Sequence, residues 1–165
     1  MKSPVLRSIT TAALIAALYV LLTVAFAPLS FGHLQFRASE LLTVLACFTP
    51  TAIPGLTVGC LLSNIASPLP LDMVFGTLAT LLAAISAYVF RSFTFKGRPL
   101  LSIYCPVPIN GLVVGAELCL LYNGRMAIGY WLTMSLWVAM GEGVVCTAAL
   151  VLFPVIRRLI ANVQP

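Results

Sequence analysis

The chain has 165 residues, enough for one domain, yet only 8% are charged against about 25% in an ordinary soluble domain, while 61% are apolar and mean hydropathy is +1.10. So few charges cannot cover a water-facing surface, which disfavours a secreted disulfide scaffold, a disordered tail and a nucleic-acid binder. The nine Lys or Arg against four Asp or Glu are therefore read by position along a polytopic membrane protein.

Continuous apolar runs, rather than ten-residue alternation, predict helices instead of a barrel. Lys2 and Arg7 precede the first run, 8–26. Its Ala25-Phe26-Ala27 end imitates a leader-peptide cleavage site, but the run is longer than a typical h-region and Pro28 follows, so it reads as span one. Within it, Ala12 and Ala16, and Ala13 and Ala17, form overlapping small-x-x-x-small pairs that admit another helix closely. Residues 41–68 are too long for one span and are broken by Pro50, Pro54, Gly55 and Gly59, so 49–55 is predicted to turn between two short helices. Further spans follow at 73–90, 100–121 and 128–153.

Arg91, Lys96 and Arg98 follow the 73–90 run, and Arg157 and Arg158 follow the last. Under the positive-inside rule these clusters and the N-terminal one share the cytoplasmic side, which requires even numbers of crossings between them. Counting 41–68 as two spans satisfies this. The expectation is an all-α bundle of six transmembrane helices over 1–165, with N and C termini cytoplasmic and only Arg37 and Arg125 outside. Tyr122, Tyr130 and Trp131 then fall at the outer interface, where amphipathic aromatics sit.

An ionisable side chain in a bilayer costs about 2.5–3.5 kcal/mol even on lenient scales, so each acid calls for an explanation. Glu40 and Asp72 open spans from the outside, Glu117 lies about a turn below the outer end of the fifth, and Glu142, between Gly141 and Gly143, lies near mid-depth. With Asn64 and Asn110 these carboxylates outline a polar pocket open to the outside. Asn110 and Glu117, seven apart, share a helix face, and Gly115, Gly141 and Gly143 leave room for a ligand or a neighbouring helix. Structural alternatives stand beside this reading: Asp72 as an N-cap, Arg37 and Glu40 as a local ion pair, Glu117 and Asn110 as bridges between helices. No Lys or Arg lies at the depth of Glu142. Cys47, Cys60, Cys105, Cys119 and Cys146 show no ligand spacing and read as core thiols, and His33 stands alone in a loop. Neither a metal nor a cofactor is expected. An enzyme would need a nucleophile, a metal set or a useful histidine that the chain does not supply. No phosphate-binding loop is present, so active transport would draw on an ion gradient or a partner.

Three stretches, Leu34-Gln35-Phe36-Arg37-Ala38-Ser39-Glu40-Leu41-Leu42, Ala52-Ile53-Pro54-Gly55-Leu56-Thr57-Val58-Gly59-Cys60 with Ser63-Asn64, and Asp72-Met73-Val74-Phe75-Gly76-Thr77-Leu78-Ala79-Thr80-Leu81, resemble the QueT family. Pro108-Ile109-Asn110-Gly111 and Gly141-Glu142-Gly143 also match its pattern. The resemblance implies a substrate-binding S component of an energy-coupling factor (ECF) transporter in the bacterial cytoplasmic membrane, taking up a queuosine precursor, either queuine or an aminomethyl-deazaguanine. It implies as partners a transmembrane coupling subunit, docked on Ala12, Ala13, Ala16 and Ala17, and two ATP-binding subunits. A first loop over about 28–36, with His33 and Gln35, would act as a lid. Glu142 or Glu117 would receive the pairing edge of the base, Asp72 or Glu40 the side-arm amine, Asn64 and Asn110 the ring, with Arg37 nearby and Trp137 or Phe75 as a flat wall. The alternatives are an S component for another small vitamin-like molecule and a solitary ion-coupled carrier.

Overall fold

The computed structural model describes residues 3–30, 36–65 and 67–163. Helix α1 (Pro4–Ala25) starts where Pro4 needs no amide partner and Ser3 Oγ accepts from the Leu6 amide at 3.2 Å. A single turn, α2 (Ala27–Ser30), follows. His33 and Gln35 lie outside the described residues.

The broken stretch after them forms a hairpin. Its first arm, Ala38–Cys47, is a 3₁₀ segment, and its second is α3 (Ala52–Asn64). Ten residues at the 3₁₀ rise and thirteen at the α rise both reach about 20 Å, so the arms match in length although their residue counts differ. The turn is shorter than expected: Pro54 and Gly55 lie in the first turn of α3, where proline is tolerated, and the reversal takes only the residues around Pro50. It lies at the α1 end that carries Arg7, held by a hydrogen bond between Ser8 Oγ and Thr51 Oγ1 at 3.1 Å.

Helix α4 (Asp72–Val89) is followed by a tight turn, then α5 (Leu100–Tyr104) and α6 (Pro106–Asn123), separated only at Cys105. Gly124, in the left-handed conformation at φ +68°, ends α6. Helix α7 (Ile128–Val163) runs on through Pro154 and carries Arg157 and Arg158 on its last turns instead of in a tail. Lys96 and Arg98 line one groove with Arg157 and Arg158, and Arg7 lines another with Leu159 and Ile160, so the basic clusters gather at one end.

Four stretches, Pro4–Ala25, Asp72–Ser92, Leu100–Asn123 and Ile128–Ala161, are long and apolar enough to cross a membrane, and the hairpin arms are shorter. The expected six helices are thus four long spans and a two-armed hairpin, because about 20 Å falls short of a hydrocarbon core of about 30 Å. Val5, Leu14, Leu21, Val74, Val144 and Val151 are each more than 60% exposed, an apolar surface suited to lipid.

Close approaches set the packing. A Cβ on Gly59 would come within 2.7 Å of Tyr19 Cβ and 3.0 Å of Ala16 Cα, and one on Gly55 within 2.7 Å of the Ala12 carbonyl. Gly55 and Gly59 therefore take Ala12 and Ala16 of α1 against α3, by the small-x-x-x-small geometry of membrane helices. Gly111 and Gly115 do the same for α6 against Ser135 and Ala139 of α7. Gly59→Ala is expected to cost about 1–3 kcal/mol by overpacking. Gly143→Ala, with nothing within 4 Å, is expected to stay within about 0.5 kcal/mol. Melting of the two purified variants in detergent checks the contrast.

Candidate functional site

Arg37 precedes the 3₁₀ segment and reaches the first residue of α4, where Nη2 donates to Asp72 Oδ1 at 2.7 Å. The pair is buried, the Arg37 side chain at 6% and that of Asp72 at 0% exposure. Ser67 Oγ donates to the second Asp72 oxygen, and Asn64 Nδ2 donates to the Asp72 carbonyl at 2.8 Å. Gly76 makes room for the guanidinium, since a Cβ there would lie 2.8 Å from both Arg37 Nη1 and Asn64 Nδ2. Asp72 is thus no N-cap: Leu71 occupies that position without a side-chain bond, and the carboxylate turns to Arg37.

Glu40 has other partners than the Arg37 three residues before it. Tyr19 Oη donates to Oε1 at 2.5 Å, Thr80 Oγ1 to the same oxygen at 2.6 Å, and Thr43 Oγ1 to Oε2 at 2.9 Å. The expected local ion pair gives way to an ion pair across elements and a carboxylate held by three hydroxyls. The reason is the 3₁₀ turn, which directs Glu40 inward toward α1 and α4. Glu40 therefore acts as a staple with its acceptor capacity largely used. Cys60 Sγ, accepting from Asn64 at 3.4 Å and lying 3.3 Å from Thr80 Oγ1, joins this node to the Arg37 cluster.

Glu117 differs from both. It is fully buried, and neither carboxylate oxygen has a hydrogen-bond partner among the described residues. It lies on α6 next to Asp72, within electrostatic reach of Asp72 and Arg37. Asn64 Oδ1, Thr77 Oγ1 and Ser135 Oγ are likewise buried without partners. Buried polar groups are paired in the great majority of cases, so these atoms stand out among the described residues.

Glu142 and Asn110 form a second group. They face each other across α6 and α7, and Cys146 Sγ donates to Glu142 Oε1 at 3.7 Å. Asn110 lies two turns from Glu117, about 10 Å along α6. The single expected pocket therefore resolves into an upper set (Arg37, Asn64, Asp72, Glu117) and a lower one (Asn110, Glu142), with Glu40 near both. Trp137 is not brought to either: it is 46% exposed and lies off the buried face of α7 marked by Ser135, Val138 and Glu142. The room expected at Gly115 is filled by Ser135. Cys60, Cys105, Cys119 and Cys146 are buried free thiols and Cys47 is half-buried.

Tyr19, Thr43, Ser67 and Thr80 escaped the sequence reading because single hydroxyls cost little in an apolar span and do not stand out. Tyr19 carried a usable signal, since tyrosines favour interfaces and this one lies deep in a span.

The family model described as QueT transporter matches residues 9–158. The curated protein named queuosine precursor transporter QueT, from Lactococcus lactis subsp. cremoris (strain MG1363), is 41% identical over 83 residues, which are 49% of this chain and 49% of that protein. The match thus spans about half the length of that relative. No solved structure matches.

Asp72→Asn leaves a buried guanidinium without its counter-charge and is expected to cost about 3–5 kcal/mol. Glu117→Gln removes a carboxyl crowded against Asp72 and is expected to leave the melting temperature unchanged or raised, as when a like-charge contact is relieved. Melting of both variants without ligand tests the contrast; a Glu117→Gln loss equal to that of Asp72→Asn would make Glu117 structural.

Proposed function

The chain belongs to the QueT transporter family, and we propose that it is the substrate-binding S component of an ECF transporter that imports a queuosine precursor, queuine or an aminomethyl-deazaguanine. The observation that carries this reading is the buried Glu117 carboxylate, without a hydrogen-bond partner among the described residues, with the Asn64 carbonyl oxygen beside the Arg37 and Asp72 pair. A 2-amino-4-oxo base offers adjacent ring N–H and amino donors, which one carboxylate accepts together. Charge-assisted hydrogen bonds of this kind are the strong ones, and the apolar surroundings raise the penalty for leaving Glu117 empty. Asp72, committed to Arg37 and Ser67, walls the site, and Glu142 with Asn110 forms a second acidic station deeper in the bundle for a protonated side-arm amine.

In this reading the whole chain is one transmembrane domain of the cytoplasmic membrane. The hairpin counts as two of six passes, and both termini face the cytoplasm with the basic end. The energising partners are a transmembrane coupling subunit and two ATP-binding subunits. The docking face on α1 is Ala13 with Ala17, which are exposed, while Ala12 and Ala16 are used up against α3.

A thermal-shift panel of queuine, its aminomethyl precursor, guanine and common vitamins on the purified chain is expected to single out the deazaguanines. Glu117→Gln is expected to weaken the best of them at least about tenfold by titration calorimetry, as for an interaction with a charged group. Stabilisation by a vitamin alone would replace the substrate, and unchanged affinity in Glu117→Gln would remove that residue from the site. Ala13→Leu with Ala17→Leu is expected to keep ligand binding and abolish co-purification with the coupling subunit; a surviving complex places the docking face elsewhere.

A further inference from the structure

We propose that the basic groove between the α4–α5 turn and the end of α7 is a binding site for the headgroup of an anionic phospholipid. The groove encloses about 470 Å3 and is lined by Lys96, Arg98, Arg157 and Arg158 over a floor of Phe153 and Pro154. None of the four cations makes an ion pair among the described residues. Among the described residues nothing neutralises them: the four acidic side chains, Glu40, Asp72, Glu117 and Glu142, are each at most 4% exposed and lie inside the bundle. Four like charges around one groove repel one another, and a bound anion relieves that repulsion.

The turn that carries two of the cations is a built element. The Phe95 amide donates to the Arg98 carbonyl at 2.8 Å and the Arg98 amide returns the bond at 3.0 Å. Lys96 and Gly97 between them both take positive φ, +49° and +75°, the geometry of a tight two-residue hairpin turn. Left-handed backbone is unfavourable for a residue with a Cβ, so the turn holds Lys96 in place at some cost.

The surroundings choose lipid over a soluble anion. Phe93 and Phe95, each 62% exposed, flank Lys96, and on α7 the apolar Val151, Val155 and Leu159 stand more than half exposed beside Arg157 and Arg158. Cations in a row above bare apolar surface match a phosphate above acyl chains, the arrangement by which basic pockets between membrane helices take lipid headgroups.

The test uses the purified full chain in detergent, with native mass spectrometry after adding equal phosphatidylglycerol and phosphatidylcholine. Wild type is expected to retain phosphatidylglycerol about tenfold or more over phosphatidylcholine, and Arg157→Gln with Arg158→Gln to reduce that preference at least about fivefold. Arg125→Gln, remote from the groove, is expected to leave it unchanged. Should the double variant fail to fold, the wild-type preference is followed as salt rises from about 0.05 to about 0.5 M, where screening is expected to collapse it. Equal uptake of both lipids by wild type, or a salt-independent preference, overturns the proposal. So does displacement of phosphatidylglycerol by millimolar inorganic phosphate, which would assign the groove to a soluble anion. A double variant that keeps its lipid and loses only the coupling subunit would assign the groove to a protein partner. Deazaguanine binding, read in the same samples by thermal shift, is expected to survive the double substitution, so the substrate reading and the lipid site stand or fall separately.

Discussion

The ion pair between Arg37 and Asp72 is the interaction around which the polar interior is arranged. It joins the start of the 3₁₀ segment to the start of α4, and both groups are out of water. Two charges in such a place are tolerable only when they meet each other and their remaining hydrogen-bonding capacity is met as well. Ser67 does that for the Asp72 carboxylate and Asn64 for its main-chain carbonyl, Cys60 Sγ accepts from Arg37 Nη1 at 3.7 Å, and Gly76 leaves the guanidinium a hollow in α4.

From that pair the network spreads by acceptors looking for donors. Asn64 and Thr80 share Cys60, and Thr80, Tyr19 and Thr43 converge on Glu40. Four elements are thereby tied together in a bundle whose outer faces, resting on lipid, provide little drive for helix association. Glycine spacing supplies the rest, through Gly55 and Gly59 against α1 and through Gly111 and Gly115 against α7. Within this framework Glu117 is the exception. Among the described residues three hydroxyls meet Glu40 and none meets Glu117, whose carboxyl lies beside Asp72.

Much of the organisation was legible in the residues. The apolar runs located the four long helices to within a few residues, except that α7 continues past Pro154, which the run of apolar residues did not reveal because Arg157 and Arg158 resemble a tail. The prolines and glycines located the hairpin but overstated its turn, since proline at the start of a helix and proline in a turn look the same in sequence. The acids announced themselves by their cost in a bilayer. Their division of labour did not, because it depends on which hydroxyls lie opposite.

Hydropathy, charge and motif are properties of residues taken in order, and they carry the all-helical membrane protein, the basic end, the positions of the four acids and the family resemblance. Packing adds that Arg37 pairs with Asp72 instead of Glu40, that Glu40 is met by three hydroxyls while Glu117 has no donor among the described residues, that Trp137 faces outward, and that Ala12 and Ala16 pack on α3 while Ala13 and Ala17 are exposed. Each of these turns on which side chain stands opposite another across two elements. Helical periodicity assigns a residue to a face, and only the packing of elements assigns that face its neighbour.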